Sequence, residues 1–169
     1  MKAVIAALTL LMWTALFAAE GEASTKTSTV NWYKMAASQG NAEAQFYLGV
    51  MYSRGAGVTK NDDLAVYWYK KAASQEHAEA QLNLGYMYET GKGVKKNYGE
   101  AVQWYQRAAD NGSTVAMNNL GIMHMMGLGV KKDSTKAYRY WRKAAQKGNN
   151  NAWDNIEKLR RLDPQACLD

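Results

Sequence analysis

The side chains best suited to catalysis or metal binding are two histidines and one cysteine, His77, His124 and Cys167. No carboxylate or second histidine stands at the spacing that the ligands of a zinc site take, and no nucleophile motif surrounds a serine or cysteine. His77 lies where two similar segments meet, and there a solvated or helix-capping role is expected. His124 stands where two earlier segments have Tyr52 and Tyr88, so we expect it to be a core residue. The sequence therefore indicates no enzyme, no metal site and no cofactor.

The elements that carry these residues follow a 36-residue repeat. Three segments, at residues 41–76, 77–112 and 113–148, align without insertions. Ala-Glu-Ala-Gln begins at the second residue of the first two, and Gly-x-Gly-Val stands midway in all three. A fixed period of this length is typical of stacked supersecondary units. The glycine pairs therefore belong to a turn of the repeat and do not form a phosphate-binding loop.

Each unit is predicted to contain two helices. In the first unit Ala44, Leu48 and Met51 fall at i, i+4 and i+7, which gives a helix one apolar face. Gly55 follows, and a glycine just past a helix closes its last turn in the left-handed conformation. Asn61 and the aspartate after it are good capping residues for the second helix.

Small and aromatic residues at repeated positions are expected to pack the units together. A glycine within a helix costs about 1 kcal/mol relative to alanine, so its recurrence in every unit suggests a close helix contact. Tryptophans at helical spacing are expected to be core residues between units and not a ligand box. The glycines are Gly49, Gly85 and Gly121, and the tryptophans are Trp32, Trp68, Trp104 and Trp141.

Residues 1–23 are typical of a secretory signal peptide. A lysine follows Met1, an apolar run covers residues 3–17, and small residues come after it. This run is shorter than the roughly 20 residues that a membrane-spanning helix needs, and a retained membrane anchor is the alternative. Cleavage fits after either Ala19 or Ala23. We therefore expect a periplasmic or secreted protein without a lipid anchor, since the only cysteine lies far from this segment.

The rest of the chain is predicted to be one repeat region with short flanks. Residues 24–30 are rich in serine and threonine and are expected to form a disordered lead-in. The repeat region covers residues 31–162, opening with a second helix and closing with a polar capping helix at 151–162. The tail, residues 163–169, is expected to fray around Cys167, whose alternative is an intermolecular disulfide. An internal disulfide is excluded because this cysteine is the only one.

The charge balance is mildly basic, with 21 Lys and Arg against 15 Asp and Glu and a formal net charge of +6. Such a surface suits an acidic protein partner or an anionic membrane surface. Nucleic acid is not expected as a partner, because the chain is predicted to be exported and carries no recognition motif. No small-molecule substrate is indicated.

Four motifs together resemble the Sel1-like repeat, a relative of the tetratricopeptide repeat. They stand at residues 42–45, 48–52, 55–58 and 65–73 and recur in the two later units. The resemblance covers about residues 31–162 and implies an all-α, right-handed α-α superhelix. This solenoid would have three full repeats and partial repeats at both ends. The resemblance also implies a role as adaptor or scaffold for protein complexes.

By the same resemblance, the first helices of the units line a concave face that binds the partner. Apolar residues there would form a stripe rimmed by charge and suited to a partner helix or loop, or neighbouring first helices would cover them. Lysines at equivalent loop positions would form a basic ridge that steers an acidic partner or contacts anionic lipid, or would only be solvated. The groove residues are Glu43, Phe46, Val50, Arg54, Glu79, Leu82, Tyr86, Glu89, Asn118, Ile122, Met125, Asp154 and Lys158, with Val115 and Met126 on the same face, and the ridge residues are Lys60, Lys95, Lys96, Lys131 and Lys132.

These features predict a periplasmic protein–protein interaction module. The specific expectation is an immunity protein that binds and neutralises a secreted antibacterial effector, such as a lipase-like toxin of a type VI secretion system. Small size, a plain signal peptide and the absence of other recognisable domains suit a stoichiometric inhibitor. The alternatives are a structural adaptor of an envelope or motility complex and a secreted host-interaction protein.

Overall fold

The computed structural model describes residues 28–168, and their regular structure is entirely helical. The helices are α1 at residues 28–38, α2 at Ala42–Arg54, α3 at Asp62–Ala73, α4 at Ala78–Thr90, α5 at Tyr98–Asp110, α6 at Thr114–Met126, α7 at Ser134–Gln146, α8 at Asn150–Leu162 and a short 3-10 helix at Pro164–Cys167. From α2 onwards each helix packs against the next along the chain. This arrangement confirms the predicted all-α solenoid of stacked helix pairs.

The helix ends follow the predicted caps. The Asn61 side chain begins α3 by accepting a hydrogen bond from the backbone N–H of Leu64 at 2.9 Å. His77 begins α4 in the same way, with Nδ1 3.4 Å from the backbone nitrogen of Ala80, which confirms its capping role. Gly55 ends α2 with φ of 73°, the left-handed conformation that was expected there. The equivalent residues in the later units are Asn97 and Asp133 at the start of α5 and α7, and Gly91 and Gly127 at the end of α4 and α6.

The two helices of a unit approach closely because a glycine of the first faces an aromatic ring of the second. A Cβ atom added to Gly49 would lie 2.6 Å from Cδ1 of Tyr69, well inside the distance at which carbon atoms repel. This geometry confirms the close helix contact predicted for the helical glycines. The equivalent pairs are Gly85 with Tyr105 and Gly121 with Trp141.

The prediction that all four tryptophans are core residues is wrong. Trp32 exposes 56% of its surface, and Trp68 and Trp104 are half-buried, whereas Trp141 exposes only 4%. Trp141 stands at the repeat position of Tyr105, one residue later than the other three tryptophans. Because successive residues of a helix are rotated by about 100°, one residue is enough to turn a side chain from the core towards the surface.

Buried glutamines connect successive helix pairs. The Gln45 side chain donates to the backbone carbonyl of Ala37 at 3.1 Å and accepts from Nε2 of Gln75 at 2.8 Å. Gln81 occupies the same place in the next unit and accepts from Nδ2 of Asn111 at 3.0 Å. Both glutamines are buried, so these bonds satisfy polar groups that water cannot reach.

The structure corrects the two predicted flanks. Residues 28–30 are helical and Val30 is buried, so this part of the predicted lead-in is ordered. The tail does not fray around Cys167, which is half-buried in the 3-10 helix packed on α7 and α8. The predicted signal peptide and residues 24–27 lie outside the described residues. Among the described helices, none is both long and apolar enough to cross a membrane.

Replacing Gly85 by alanine is expected to destabilise the protein by about 1–3 kcal/mol, the usual cost of overpacking a core. The added Cβ would lie within 3.0 Å of three ring carbons of Tyr105, whose side chain is fully buried. The free energy of unfolding, measured by urea denaturation followed by circular dichroism, checks this.

Gly99→Ala is the matched control. Gly99 lies in the first turn of α5, and its added Cβ would meet only Oδ1 of Asn97, at 3.3 Å. Its stability should therefore stay close to that of the wild type. Equal losses in the two variants would contradict the packing role of Gly85.

Candidate protein-binding surfaces

The side chains predicted to line the groove lie on α2, α4, α6 and α8, and all but one reach the surface. Those exposed are Glu43, Arg54, Glu79, Tyr86, Asp154 and Lys158, those half-buried are Phe46, Val50, Leu82, Glu89, Ile122 and Met125, and Asn118 is buried. The first helices therefore present a mixed surface, charged at the first unit and the closing helix.

Neighbouring helices cover most of the predicted apolar stripe. Phe46 stacks on His77 with ring centroids 4.7 Å apart, and both Phe46 and Val50 pack against the core of α3 and α4. Tyr86 differs, since it exposes 46% of its surface and Nζ of Lys92 lies 5.1 Å from its ring centroid. Tyr86 is thus the open position in the middle of the stripe.

Asn118 does not line the groove, and the prediction is wrong there. It exposes 7% of its surface. Its side-chain oxygen accepts a hydrogen bond from Nδ2 of Asn155 at 2.9 Å, and its backbone carbonyl accepts from Nε1 of Trp141 at 3.0 Å. These bonds join α6 to α7 and α8, so Asn118 serves packing.

An apolar cavity of about 230 Å³ opens at the C-terminal end of this face, among α6, α7 and α8. Met126 and Leu162 lie at the cavity and expose 63% and 76% of their surfaces. Methionine is flexible and polarizable, so it adapts to differently shaped apolar partners. We call this cavity the apolar pocket; its lining residues are Ile122, Met125, Met126, Trp141, Asn155, Lys158, Leu159 and Leu162.

The five lysines of the predicted basic ridge are all exposed. Nζ of Lys60 lies 3.9 Å from the Asp62 carboxylate, which offsets part of its charge. Residues 28–130 hold nine Lys and Arg against eight Asp and Glu, whereas residues 131–163 hold ten against four. The net positive charge therefore belongs to the third unit and the closing helix and is not spread along the stack.

A second cavity, of about 290 Å³, lies between α6 and α7 in this basic region. His124 lines it, exposes 9% of its surface and stacks on Tyr140 with ring centroids 5.5 Å apart. This burial confirms His124 as a core residue. Lys136, Arg139 and Lys143 complete the lining, and we call the cavity the cationic recess.

Burial is the main cause that lowers the pKa of His124, and the charge of Lys136 lowers it further. The carboxylate of Asp133 and a backbone hydrogen bond with Lys131 act in the opposite direction. Nδ1 of His124 is buried and has no hydrogen-bond partner among residues 28–168. The imidazole is therefore neutral near pH 7, and the charge of the recess comes from its lysines and arginine.

Two of the predicted groove carboxylates have structural partners. Glu89 accepts a hydrogen bond from the Tyr105 hydroxyl at 2.5 Å, and burial, with this bond, raises the pKa of that tyrosine. The Glu43 carboxylate lies 2.9 Å from Nε2 of His77. Over the part of the chain that the structure describes, no three His, Cys, Asp or Glu side chains are grouped to hold a metal ion.

A stack of helix pairs with surface recesses defines a repeat scaffold. The Sel1 repeat profile matches residues 28–41, 42–77, 78–113 and 114–149. The chain therefore belongs to the Sel1 repeat family, whose members are protein–protein interaction modules. The matched repeats begin one residue after the units read from the sequence.

Solved structures of several bacterial proteins have the same fold. A Sel1 repeat protein from Oxalobacter formigenes is 44% identical with a TM-score of 0.76, over 79% of this chain and 55% of that chain. A protective antigen present in uropathogenic Escherichia coli strains is 36% identical with a TM-score of 0.79, over 80% of this chain and 29% of that chain. Helicobacter pylori cysteine-rich protein B, at 22% identity and a TM-score of 0.62 over 78% of this chain and 95% of that chain, shares the fold alone. A search of curated proteins found no match.

Sequence reasoning missed part of both cavities. Leu162 lies in the predicted capping helix, but its place beside Met126 depends on how α8 packs on α6 and α7. The cations of the recess could have been predicted from the sequence, because the span Ser134–Gln146 holds four basic residues and no acidic one. These basic residues lie on the second helix of the third unit, whereas the family resemblance implies partner binding by the first helices.

Stability is expected to fall as the pH drops below about 6.5, the ordinary pKa of the His124 imidazole. Because burial lowers this pKa in the folded protein, the unfolded chain takes up the proton first. The stability that is present above the pKa of His124 in the unfolded chain is therefore lost as the pH falls towards the lower pKa of His124 in the folded protein. His124→Tyr introduces the tyrosine that the first two units have at this position, as Tyr52 and Tyr88. This substitution should remove the loss of stability at low pH.

The measurement is the Tm of both proteins from about pH 7.5 to about pH 5. His77 and all carboxylates are common to the two proteins, so the difference in Tm isolates His124. The variant should gain relative to the wild type as the pH falls. A difference that stays constant over this range would contradict the assignment.

Proposed function

We propose that the chain is an exported interaction module that binds and neutralises a secreted antibacterial effector, such as a lipase-like toxin of a type VI secretion system. The observation that carries the proposal is the apolar pocket at the C-terminal end of the first helices. Met126 and Leu162 leave large apolar surfaces uncovered there. A stoichiometric inhibitor needs such a centre, because a few buried apolar contacts supply most of the affinity of an interface.

The pocket combines a fixed wall with adaptable edges. Trp141 and Leu159 are buried and form a rigid surface, while Met126 and Leu162 are free to close over an inserted side chain. Lys158 adds a cation at the rim. An apolar centre with a polar rim is the usual anatomy of a protein interface.

Export is part of this proposal. Residues 1–23 have the basic start, the apolar run and the small residues of a cleavable signal peptide. An inhibitor delivered to the periplasm would meet an effector that acts there, before the effector reaches its target.

A secreted host-interaction protein is the second candidate. The relative that is 36% identical is a protective antigen present in uropathogenic Escherichia coli strains, and this favours a protein that meets the host. The candidate predicts an infection phenotype in the absence of any effector. A structural adaptor would instead give an envelope or motility defect on deletion.

The test of the proposal is co-expression in the periplasm with an antibacterial effector encoded in the same gene cluster. We expect growth to be restored by the full chain and not by a chain that lacks residues 1–23. Failure of rescue while both proteins are present in the periplasm would contradict the proposal.

Met126→Asp combined with Leu162→Asp is expected to weaken binding of that effector at least about 100-fold, because two charges would have to be desolvated in the interface. Leu64→Asp with Tyr67→Asp is the matched control, since these apolar residues of α3 are also exposed, at 38% and 49%. Titration calorimetry gives the Kd of each variant, and thermal unfolding checks that both fold. Similar losses in the two variants would place the interface elsewhere.

A further inference from the structure

We propose that the cationic recess is a second binding site, and that it takes an acidic helical segment of a protein partner. The recess is separate from the apolar pocket, since the two share no lining residue; Tyr140 lines the recess and the next residue, Trp141, lines the pocket. It needs only a partner that carries carboxylates, so it does not depend on the partner being an effector.

The cations of the recess share one face of α7. Lys136, Arg139 and Lys143 fall at i, i+3 and i+7, so their stems emerge on the same side and span about 10 Å along the helix. An acidic helix with carboxylates at i, i+4 and i+7 presents negative charge at the same spacing. Arginine can bind a carboxylate through two parallel hydrogen bonds, which adds geometric selectivity to the charge.

The recess is also lined by an aromatic pair, of which His124 is buried and Tyr140 is half-buried. His124 stacks on Tyr140 with an angle of 15° between the ring planes, and of the lining residues it is the least exposed. Because its imidazole is neutral near pH 7, the nearby cations meet no further positive charge there. Nδ1 of His124, buried and unpartnered among the described residues, is a polar atom that a bound group or water would satisfy.

The recess is specific to the third unit. The residues equivalent to Lys136 are Leu64 in the first unit and Glu100 in the second. The residues equivalent to His124 are Tyr52 and Tyr88. The repeat therefore does not require Lys136, whereas Lys143 stands where the earlier units have Lys71 and Arg107. The recess combines a histidine in place of tyrosine with a helix from which acidic residues are absent between Ser134 and Gln146.

The geometry favours a protein segment over a membrane or a single phosphate. Three cations in a line of about 10 Å match several separate carboxylates, whereas a compact phosphate is held by groups that converge on one point. A bilayer is a flat surface and is met by projecting side chains, whereas here the cations line one wall of a cavity of about 290 Å³. The positive charge of the cavity would also steer acidic side chains towards it.

The test uses a fluorescein-labelled helical peptide with three glutamates at i, i+4 and i+7, and its binding to the full chain is followed by anisotropy at low salt. We expect saturable binding that weakens as salt is added. A peptide with glutamine at these positions should not bind. A peptide of the same composition with the glutamates adjacent to one another should bind less tightly, because its charges do not follow the spacing of the recess.

Lys136→Gln with Lys143→Gln is expected to weaken peptide binding about 10-fold or more, the effect of removing two direct charge contacts. Lys95→Gln with Lys96→Gln removes the same charge from the loop before α5 and should weaken binding much less, because these lysines do not line the recess. His124→Tyr should weaken binding as well, because the larger ring occupies part of the cavity. Thermal unfolding establishes that each variant is folded.

Three results would overturn the proposal: no peptide binding by the wild type, equal losses in the two lysine variants, or binding to phosphatidylglycerol vesicles in preference to the peptide. The second would mean attraction to overall charge, and the third a membrane contact. Because no effector enters this experiment, its failure would leave the apolar pocket and the neutralisation of an effector to be judged on their own tests.

Discussion

Each helix pair is held at a fixed spacing by an aromatic ring that fills the place of a missing side chain on the facing helix. The ring of Tyr105 is fully buried against Gly85, and its hydroxyl donates to Glu89 on the same facing helix at 2.5 Å. Because interiors are close-packed, neither the ring nor the helix has room to shift. The pair therefore behaves as a rigid block, and stacking the blocks determines which side chains are covered.

The third unit meets this constraint with a different ring, and its surroundings change as a result. Trp141 fills the space beside Gly121 and donates its indole N–H to the carbonyl of Asn118. The side chain of Asn118 then accepts from Asn155 of the closing helix, while Met117 stands where the earlier units have a buried glutamine. The contact between units is thus rebuilt at this end of the stack, and the apolar pocket, which Trp141 and Asn155 line, adjoins it.

Features that depend on one turn of helix could be predicted from the sequence. The left-handed Gly55 and the cap at Asn61 follow from residue type and position alone. The exposure of Trp32 and the burial of Asn118 could not, because they depend on which neighbouring helix covers a face. The prediction that Cys167 lies on a frayed tail is wrong for the same reason. Only the packed structure shows that its 3-10 helix lies against α7 and α8.

The cations of α7 follow one another closely enough along the helix to repel. Lys136 and Arg139, and Arg139 and Lys143, are like-charged neighbours on one helix face, and each such pair costs about 0.2–0.5 kcal/mol in an isolated helix. The burial that holds α7 in place comes from other residues, among them Ala137 and Trp141. An acidic partner would replace this repulsion with attraction.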